Sequence, residues 1–396
     1  MKTRYISILT IGAMALAAAS CSDVVNYDDG VEDIFAADDA PVIDAIYDVE
    51  DTESTAPLSG GSLDQMLRIH GRNLSHVKSV TFNGIEVPVS QIYATSADAW
   101  LKVPRAIPEA TDNKLVYTTE LGTLTRDFEV SIPSMRLEGL GNEFCQAGES
   151  VQVLGDYFDL FGYGVEGSGA SVSIAGTPLE IDSITEEYMS IVIPEGTPDN
   201  TLIDFAWEEP DGPKTKTVAF RYTRGILLED LSSVGWWDSS VHNYITAGNN
   251  SGDPRPTLGS YFRFNGNFDQ WTWYQFGGGA NWPESMDCRG RESEYVFKFE
   301  VYSAAKTPFY DSQDWGYQFA LNDSDPLYVW NPSAGMSFNT YGRWRTVTIP
   351  LDQVARKGTV EPGTWSNFQM VMQPNTEGGW SVDHCFANFR IEPANF

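Results

Sequence analysis

Aromatic side chains, more than ionisable ones, carry the chemistry that can be read in this chain. Ten of its twelve tryptophans fall in the last 172 of 396 residues. Two of them lie in the run Phe268-Asp269-Gln270-Trp271-Thr272-Trp273-Tyr274-Gln275-Phe276. Read as one strand, whose side chains alternate between faces, the run puts Phe268, Thr272, Tyr274 and Phe276 on a core face. Asp269, Trp271, Trp273 and Gln275 then point the other way. Flat indole surface interleaved with hydrogen-bonding groups suits a polar chain with apolar ring faces, namely a polysaccharide. Other tryptophans sit in polar, Gly-rich or Pro-rich segments that read as loops, where binding surfaces collect: Trp236-Trp237-Asp238, Trp282-Pro283-Glu284, Trp330-Asn331-Pro332, Trp365-Ser366-Asn367 and Gly378-Gly379-Trp380. The candidate binding set is Trp236, Trp237, Trp271, Trp273, Trp282 and Trp330 with Asp269, Gln270 and Asn281. For any one of these indoles, packing beneath a loop is as good a reading as ligand contact. Trp344 and Trp315 read as core.

Other chemistries find less support. Asp238, Asp269, Glu284, Asp287 and Asp314 offer carboxylates for a glycosidase acid and nucleophile, but a domain this rich in acids always holds such pairs. No nucleophile elbow, zinc motif, P-loop or dinucleotide fingerprint is present, so no enzyme, cofactor or metal is expected. Beyond Cys21 three cysteines remain, Cys145, Cys288 and Cys385; Cys288 and Cys385 either pair or stand as buried thiols. His70 and His76 read as surface or capping residues. The formal charge of −30 excludes a nucleic-acid ligand, which needs clustered Lys and Arg. A neutral glycan is compatible with it.

Short alternating runs separated by Gly, Pro, Asn and Asp fill the chain, and amphipathic helix signals are scarce. The expectation is all-β. Residues 41–132 and 133–224 read as two sandwiches, with a tight hairpin at Asn83-Gly84. Trp100 and Trp207, in strand-like runs of these units, read as core, and the units read as spacers joined by short, semi-rigid connections. Residues 225–396 read as a jelly-roll-like sandwich, with Tyr295, Phe297, Phe299 and Val301 on one core face and Phe368, Met370 and Met372 on another. Residues 1–20 form a basic start and a short apolar stretch typical of a targeting segment, and residues 22–40 an acidic, flexible tether.

Several of these features resemble known families. Ala18-Ala19-Ser20-Cys21 resembles a bacterial lipobox, which implies cleavage before Cys21 and lipidation of its thiol, and the acidic segment after it resembles a Bacteroidota surface-export signal. Ile69-His70-Gly71-Arg72-Asn73-Leu74 and Val80-Thr81-Phe82-Asn83-Gly84 correspond to Val153-Leu154-Gly155-Asp156-Tyr157-Phe158 and Val172-Ser173-Ile174-Ala175-Gly176, and both units resemble IPT/TIG domains, which are immunoglobulin-like sandwiches. Asn142-Glu143-Phe144 followed by Ala147-Gly148-Glu149 is similar to the start of such a unit in tandem arrays. The complete layout resembles the surface glycan-binding proteins of Bacteroidota polysaccharide utilisation systems. That resemblance implies an outer-membrane, cell-surface lipoprotein that holds a polysaccharide (xyloglucan, mixed-linkage or β-1,3-glucan, or β-mannan) beside a SusD-like protein and a TonB-dependent transporter. It further implies stacking on Trp236 or Trp237 and on Trp271 with Trp273. The alternatives are an adhesin or structural stalk that binds protein, and a glycoside hydrolase.

Overall fold

The computed structural model describes residues 33–309, 316–330 and 338–396. Cys21 and the targeting segment, and also Asp314 and Trp315, lie outside the described residues. The chain divides into two compact units, residues 1–133 and 134–396, and the architecture is all-β, as the alternating runs predict.

In the first unit a four-stranded sheet runs in the order Val42–Asp48, Met66–Arg72, Asp98–Lys102, Tyr93–Ala94. It faces a second sheet ordered Ile85–Val87, Val77–Phe82, Lys114–Thr119, Gly122–Asp127. The core is the alternate set Ile46, Leu67, Ile69, Val80, Phe82, Leu101, Leu115 and Tyr117. Trp100 corrects the core reading. Its neighbours Ala99 and Leu101 are fully buried, so alternation sends Trp100 to the outer face, half-buried with its ring 5.4 Å from Tyr93.

Within the second unit, residues 134–220 form two further four-stranded sheets. One is ordered Arg136–Leu140, Ser150–Asp156, Tyr188–Val192, Ile181–Ile184, the other Thr177–Pro178, Ser171–Ile174, Thr201–Glu209, Gly212–Phe220. Trp207 is buried here, as expected. The local pattern shared by the two sandwiches is physical. Gly71 and Gly155 each lie so close to a neighbouring strand that a Cβ would stand 1.9 Å from the Val42 carbonyl oxygen or 1.8 Å from that of Arg136. Two residues on, Asn73 and Tyr157 both adopt left-handed backbone, at φ 57° and 67°, and Leu74 and Phe158 fold back into their cores with no exposed surface.

The C-terminal module is a sandwich of two antiparallel sheets. The first runs in the order β1 (Ile245–Thr246), β2 (Tyr261–Phe268), β9 (Trp380–Pro393), β4 (Tyr295–Ser303), β7 (Arg345–Pro350); the second β3 (Tyr274–Asn281), β8 (Trp365–Met372), β5 (Tyr317–Leu321), β6 (Tyr328–Trp330). Phe262, Phe264, Phe297, Phe299, Phe386 and Phe389 of the first sheet meet Phe276, Phe319, Phe368, Met370 and Met372 of the second. The predicted core faces of residues 295–301 and 368–372 both take part. Cys145, Cys288 and Cys385 are all unbonded and buried, so the Cys288–Cys385 pairing is not made. Burial pushes the Cys145 and Cys288 thiols up to about 12, which leaves them inert.

The outer side of the first sheet is covered by the preceding sandwich. Lys298 and Glu300 on β4 and Arg390 and Glu392 on β9 face Glu143, which belongs to the Asn142-Glu143-Phe144 segment. Lys298 Nζ lies 2.7 Å from Glu143 and 2.8 Å from Glu392. The Arg390 guanidinium reaches Glu143 at 2.6 Å and both oxygens of Glu300 at 3.0 Å. It also lies over the Phe144 ring, 4.7 Å from its centre. For Glu392, burial opposes ionisation, but Arg390 and Lys298 outweigh it and hold the carboxyl below its ordinary value. Burial raises Glu300 to about 7.

Candidate functional site

The outer side of the second sheet is organised differently, and β3 sets it out. Its even-numbered residues, Tyr274, Phe276 and Gly278, turn inward, and its odd-numbered residues, Gln275, Gly277, Gly279 and Asn281, turn outward. Two outward positions have no side chain, and an indole occupies each vacancy. A Cβ on Gly277 would fall 2.2 Å from Cε3 of Trp237, and one on Gly279 would fall 2.5 Å from Cζ2 of Trp365. Both rings therefore lie directly on the β3 main chain, and both stay open to water at 54% and 52% exposure. The Trp237 N–H donates to the Gly277 carbonyl at 2.9 Å, which ties the ring's own backbone to the strand it covers. Trp365 opens β8 and pairs in register with Asn281.

Neighbouring residues supply the polar groups. The β8 residues paired with Gly277 and Gly279 are Gln369 and Asn367, whose side chains share the outward face. The Asn367 amide N–H group donates to Asp323, while its Oδ1 is buried with no hydrogen-bond partner among the described residues. Gln275 and Asn281 are exposed on the same face.

Trp271 and Trp273 are exposed at 55% and 43%. They do not lie within a strand. Residues 269–273 connect β2 in one sheet to β3 in the other, so the single strand expected over 268–276 is not formed. Trp271 takes left-handed backbone at φ 60° and donates its N–H to the Pro374 carbonyl at 2.7 Å. This reverses the chain at the sandwich edge, which strand alternation cannot express. Phe268 and Phe276 are buried as expected, but Thr272 is exposed. Trp273 directly precedes β3 and is four residues from Gly277, or about 13 Å at the rise of a strand. Exposed Asp269 and half-buried Gln270 lie in the same connection, and the Asp269 N–H donates to the Tyr274 hydroxyl at 2.9 Å.

Three of the expected site residues are core instead. Trp236 is buried beneath β3: a Cβ on Gly278 would lie 2.9 Å from its Cε3, and its indole N–H donates to the Leu231 carbonyl at 2.8 Å. Trp236 and Trp237 thus straddle one strand, one ring on each face. Trp282 continues the inward parity of β3 and is 1% exposed, its N–H donating to the Met286 carbonyl at 2.7 Å. Trp330 on β6 pairs with Tyr317 on β5 and packs on Phe299 and Phe309. Trp380 is buried as well. Trp344 packs half-buried on Tyr261 and Tyr302. Trp365 is an open indole on this face that is missing from the expected set; the glycine run 277–279 marks a bare stretch of strand, but only the pairing of β3 with β8 brings Trp365 onto it.

Of the carboxylates considered for catalysis, Asp238 caps the short 3-10 turn after it by accepting from the Ser240 N–H at 2.8 Å, which holds its carboxyl below the usual range. Asp287 is paired with Arg289 and is lowered for that reason. Neither has the raised carboxyl that a general acid needs.

Residues 220–393 match the family model of the surface glycan-binding protein B xyloglucan binding domain. The matched residues span the C-terminal module. No curated protein sequence matches the chain. Among solved structures, the chain is similar to the surface glycan-binding protein PbSGBP-B from Prevotella bryantii, at 18% identity and TM-score 0.47 over 90% of this chain and 100% of that one. It is similar to SGBP-B from a complex xyloglucan utilization locus in Bacteroides uniformis, at 16% identity and TM-score 0.45 over 89% and 99%. A third is the Bacteroides ovatus mixed-linkage glucan utilization locus SGBP-B in complex with a mixed-linkage heptasaccharide, at 13% identity and TM-score 0.28 over 86% and 75%.

Proposed function

We propose that the protein captures a β-glucan chain, xyloglucan or mixed-linkage glucan, on the outer face of the second sheet. The observation that carries this reading is the pair of open indoles, Trp237 and Trp365, seated against the β3 backbone at alternate glycines. Trp273 extends the row at one end of β3, so three stacking surfaces follow one strand over about 20 Å. Gln369, Gln275 and Asn281 stand beside them to meet equatorial hydroxyls. A linear, open row suits a chain of sugars better than a compact protein hot spot.

An indole that covers about 60 Å² of a sugar face contributes about 1.5 kcal/mol. Three such contacts and a few hydrogen bonds, less the cost of association, give binding in the high-micromolar to millimolar range. Many copies on one surface engaging one long glycan would raise the retention. That need fits the lipidated Cys21 and acidic tether read at the N-terminus. The setting we propose is the outer membrane, beside a SusD-like protein and a TonB-dependent transporter, with the two IPT/TIG-like sandwiches as spacers and without catalysis.

The test is retardation of the full chain in gels that contain xyloglucan, mixed-linkage glucan, β-1,3-glucan or β-mannan, with a reducing-end assay on each glycan. Retardation by xyloglucan or mixed-linkage glucan without new reducing ends supports the reading. Free passage through every gel, or release of reducing ends, refutes it.

A further inference from the structure

A concave surface lies far from the tryptophan row in the fold, between the 141–152 segment of the preceding sandwich and the 339–345 segment that leads into β7. It is a groove of about 830 Å³, a size suited to a small ligand. Its floor is rigid. The Thr346 N–H donates to the Gly141 carbonyl at 2.9 Å, the Glu143 N–H donates to the Thr346 hydroxyl at 2.8 Å, and beneath these bonds sits the buried cluster of Glu143, Lys298 and Arg390.

Tyr341 stands on its rim at 73% exposure, more open than any tryptophan of the row. It is held out by left-handed backbone at φ 52° and by its own N–H, which donates to Asn339 Oδ1 at 2.8 Å. Trp344 forms part of the wall, with its indole N–H already given to the Arg255 carbonyl at 2.8 Å.

The charges in this groove run against the rest of the chain, which has 55 acidic and 25 basic residues. Arg343 is exposed, and Arg345 lies over the Phe338 ring, 5.6 Å from its centre. Neither makes an ion pair among the described residues. The acid that lines the groove, Glu149, is neutralised by Arg255 at 3.1 Å. Arg345 shares the core face of β4 with Val301 and is engaged by Phe338 and Glu138, so exposed Arg343, beside an exposed aromatic ring and the amide of Gln152, is the guanidinium placed to meet an anion with a ring face. A planar guanidinium fork matches a carboxylate in both shape and charge.

We propose that this groove is a second saccharide site that takes an acidic sugar, with Tyr341 stacking on the ring and Arg343 meeting its carboxylate. The protein would then read two chemistries on one glycan-rich surface, a neutral backbone on β3 and a uronic acid in the groove.

The test is calorimetric titration of the full chain with a xylo-oligosaccharide that carries glucuronic acid, and with the same oligosaccharide after its carboxyl is reduced to the alcohol. The acidic form is expected to bind about tenfold tighter, an advantage that shrinks as salt is added. Arg343→Gln, at an exposed position, is expected to abolish that advantage, and Tyr341→Ala to weaken both ligands. The Trp237→Ala/Trp365→Ala variant is expected to keep acidic-sugar binding, so the groove stands or falls apart from the row. Equal binding of the two forms, no binding of the acidic form, or an unchanged Arg343→Gln overturns the proposal.

Discussion

The C-terminal module has two outer faces that solve opposite problems with opposite residues. On the five-stranded sheet, charged side chains that normally seek water are buried: Glu300, Arg390 and Glu392 have no exposed surface, and Glu143 and Lys298 close the network over them. On the four-stranded sheet, indoles that normally seek burial are left open, seated on a strand stripped of side chains at Gly277 and Gly279. The first face is a joint and the second is a platform. The contrast teaches that residue type alone does not say what a face is for; the partner across it does. A buried charge needs a countercharge in place, whereas an exposed ring needs only a flat seat.

The largest expected effect lies at the joint. Arg390→Met leaves Glu143, Glu300 and Glu392 facing one another with only Lys298 to balance them, and should cost about 3–5 kcal/mol of stability in denaturant unfolding. Glycan binding per folded molecule should be unchanged. A variant that unfolds like the parent would remove the joint from the comparison.

The core between the two faces gives the next test. His384 on β9 is buried beneath Phe309, with ring centres 4.0 Å apart, and shares a hydrogen bond of 2.9 Å with the Tyr317 hydroxyl. Burial, only partly offset by the Thr307 carbonyl, lowers it from 6.5 to about 4. The unfolded chain therefore binds the extra proton between these values, and the contribution of neutral His384 is complete above pH 6.5 and lost as pH falls toward 4. His384→Gln should be less stable than the parent at neutral pH. The gap in unfolding free energy should narrow by up to about 3 kcal/mol between pH 7 and pH 4. A gap that holds constant would show that the imidazole titrates as freely in the fold as outside it.

A smaller effect sharpens the platform. Gly277→Ala places a methyl group where the Trp237 ring rests, so it should lift that indole and weaken glucan binding about tenfold, the worth of one stacking contact. Unfolding should change little, because the displaced ring moves into water. Unchanged binding would mean that the ring need not lie on the strand.

How much of this was legible in the chain differs between the two faces. The all-β class and the core faces of residues 295–301 and 368–372 follow from alternation, a local property. So does the pattern shared by Gly71 and Gly155, because each motif carries its own glycine, left-handed residue and returning apolar side chain. Trp271 was misplaced because the reversal at 269–273 contains no glycine or proline to announce it, and an indole in left-handed backbone has no sequence signature. Trp282 was legible in retrospect, since it keeps the inward parity of Phe276 and Gly278. Trp365 was not, because its seat over Gly279 depends on the pairing of two strands that are 84 residues apart in sequence at Asn281 and Trp365. The joint was hidden for the same reason: Glu143 and Arg390 are 247 residues apart.

The measurement that bears most directly on the platform is titration of the retained glucan, as a soluble oligosaccharide, into the parent and into Trp237→Ala/Trp365→Ala, with the unfolding midpoint of each recorded. Loss of two stacking contacts of about 1.5 kcal/mol each predicts affinity about a hundredfold lower at an unchanged midpoint. Parental affinity in the double variant, or a variant that unfolds early, would contradict the claim that these two indoles lie open on β3 to receive sugar.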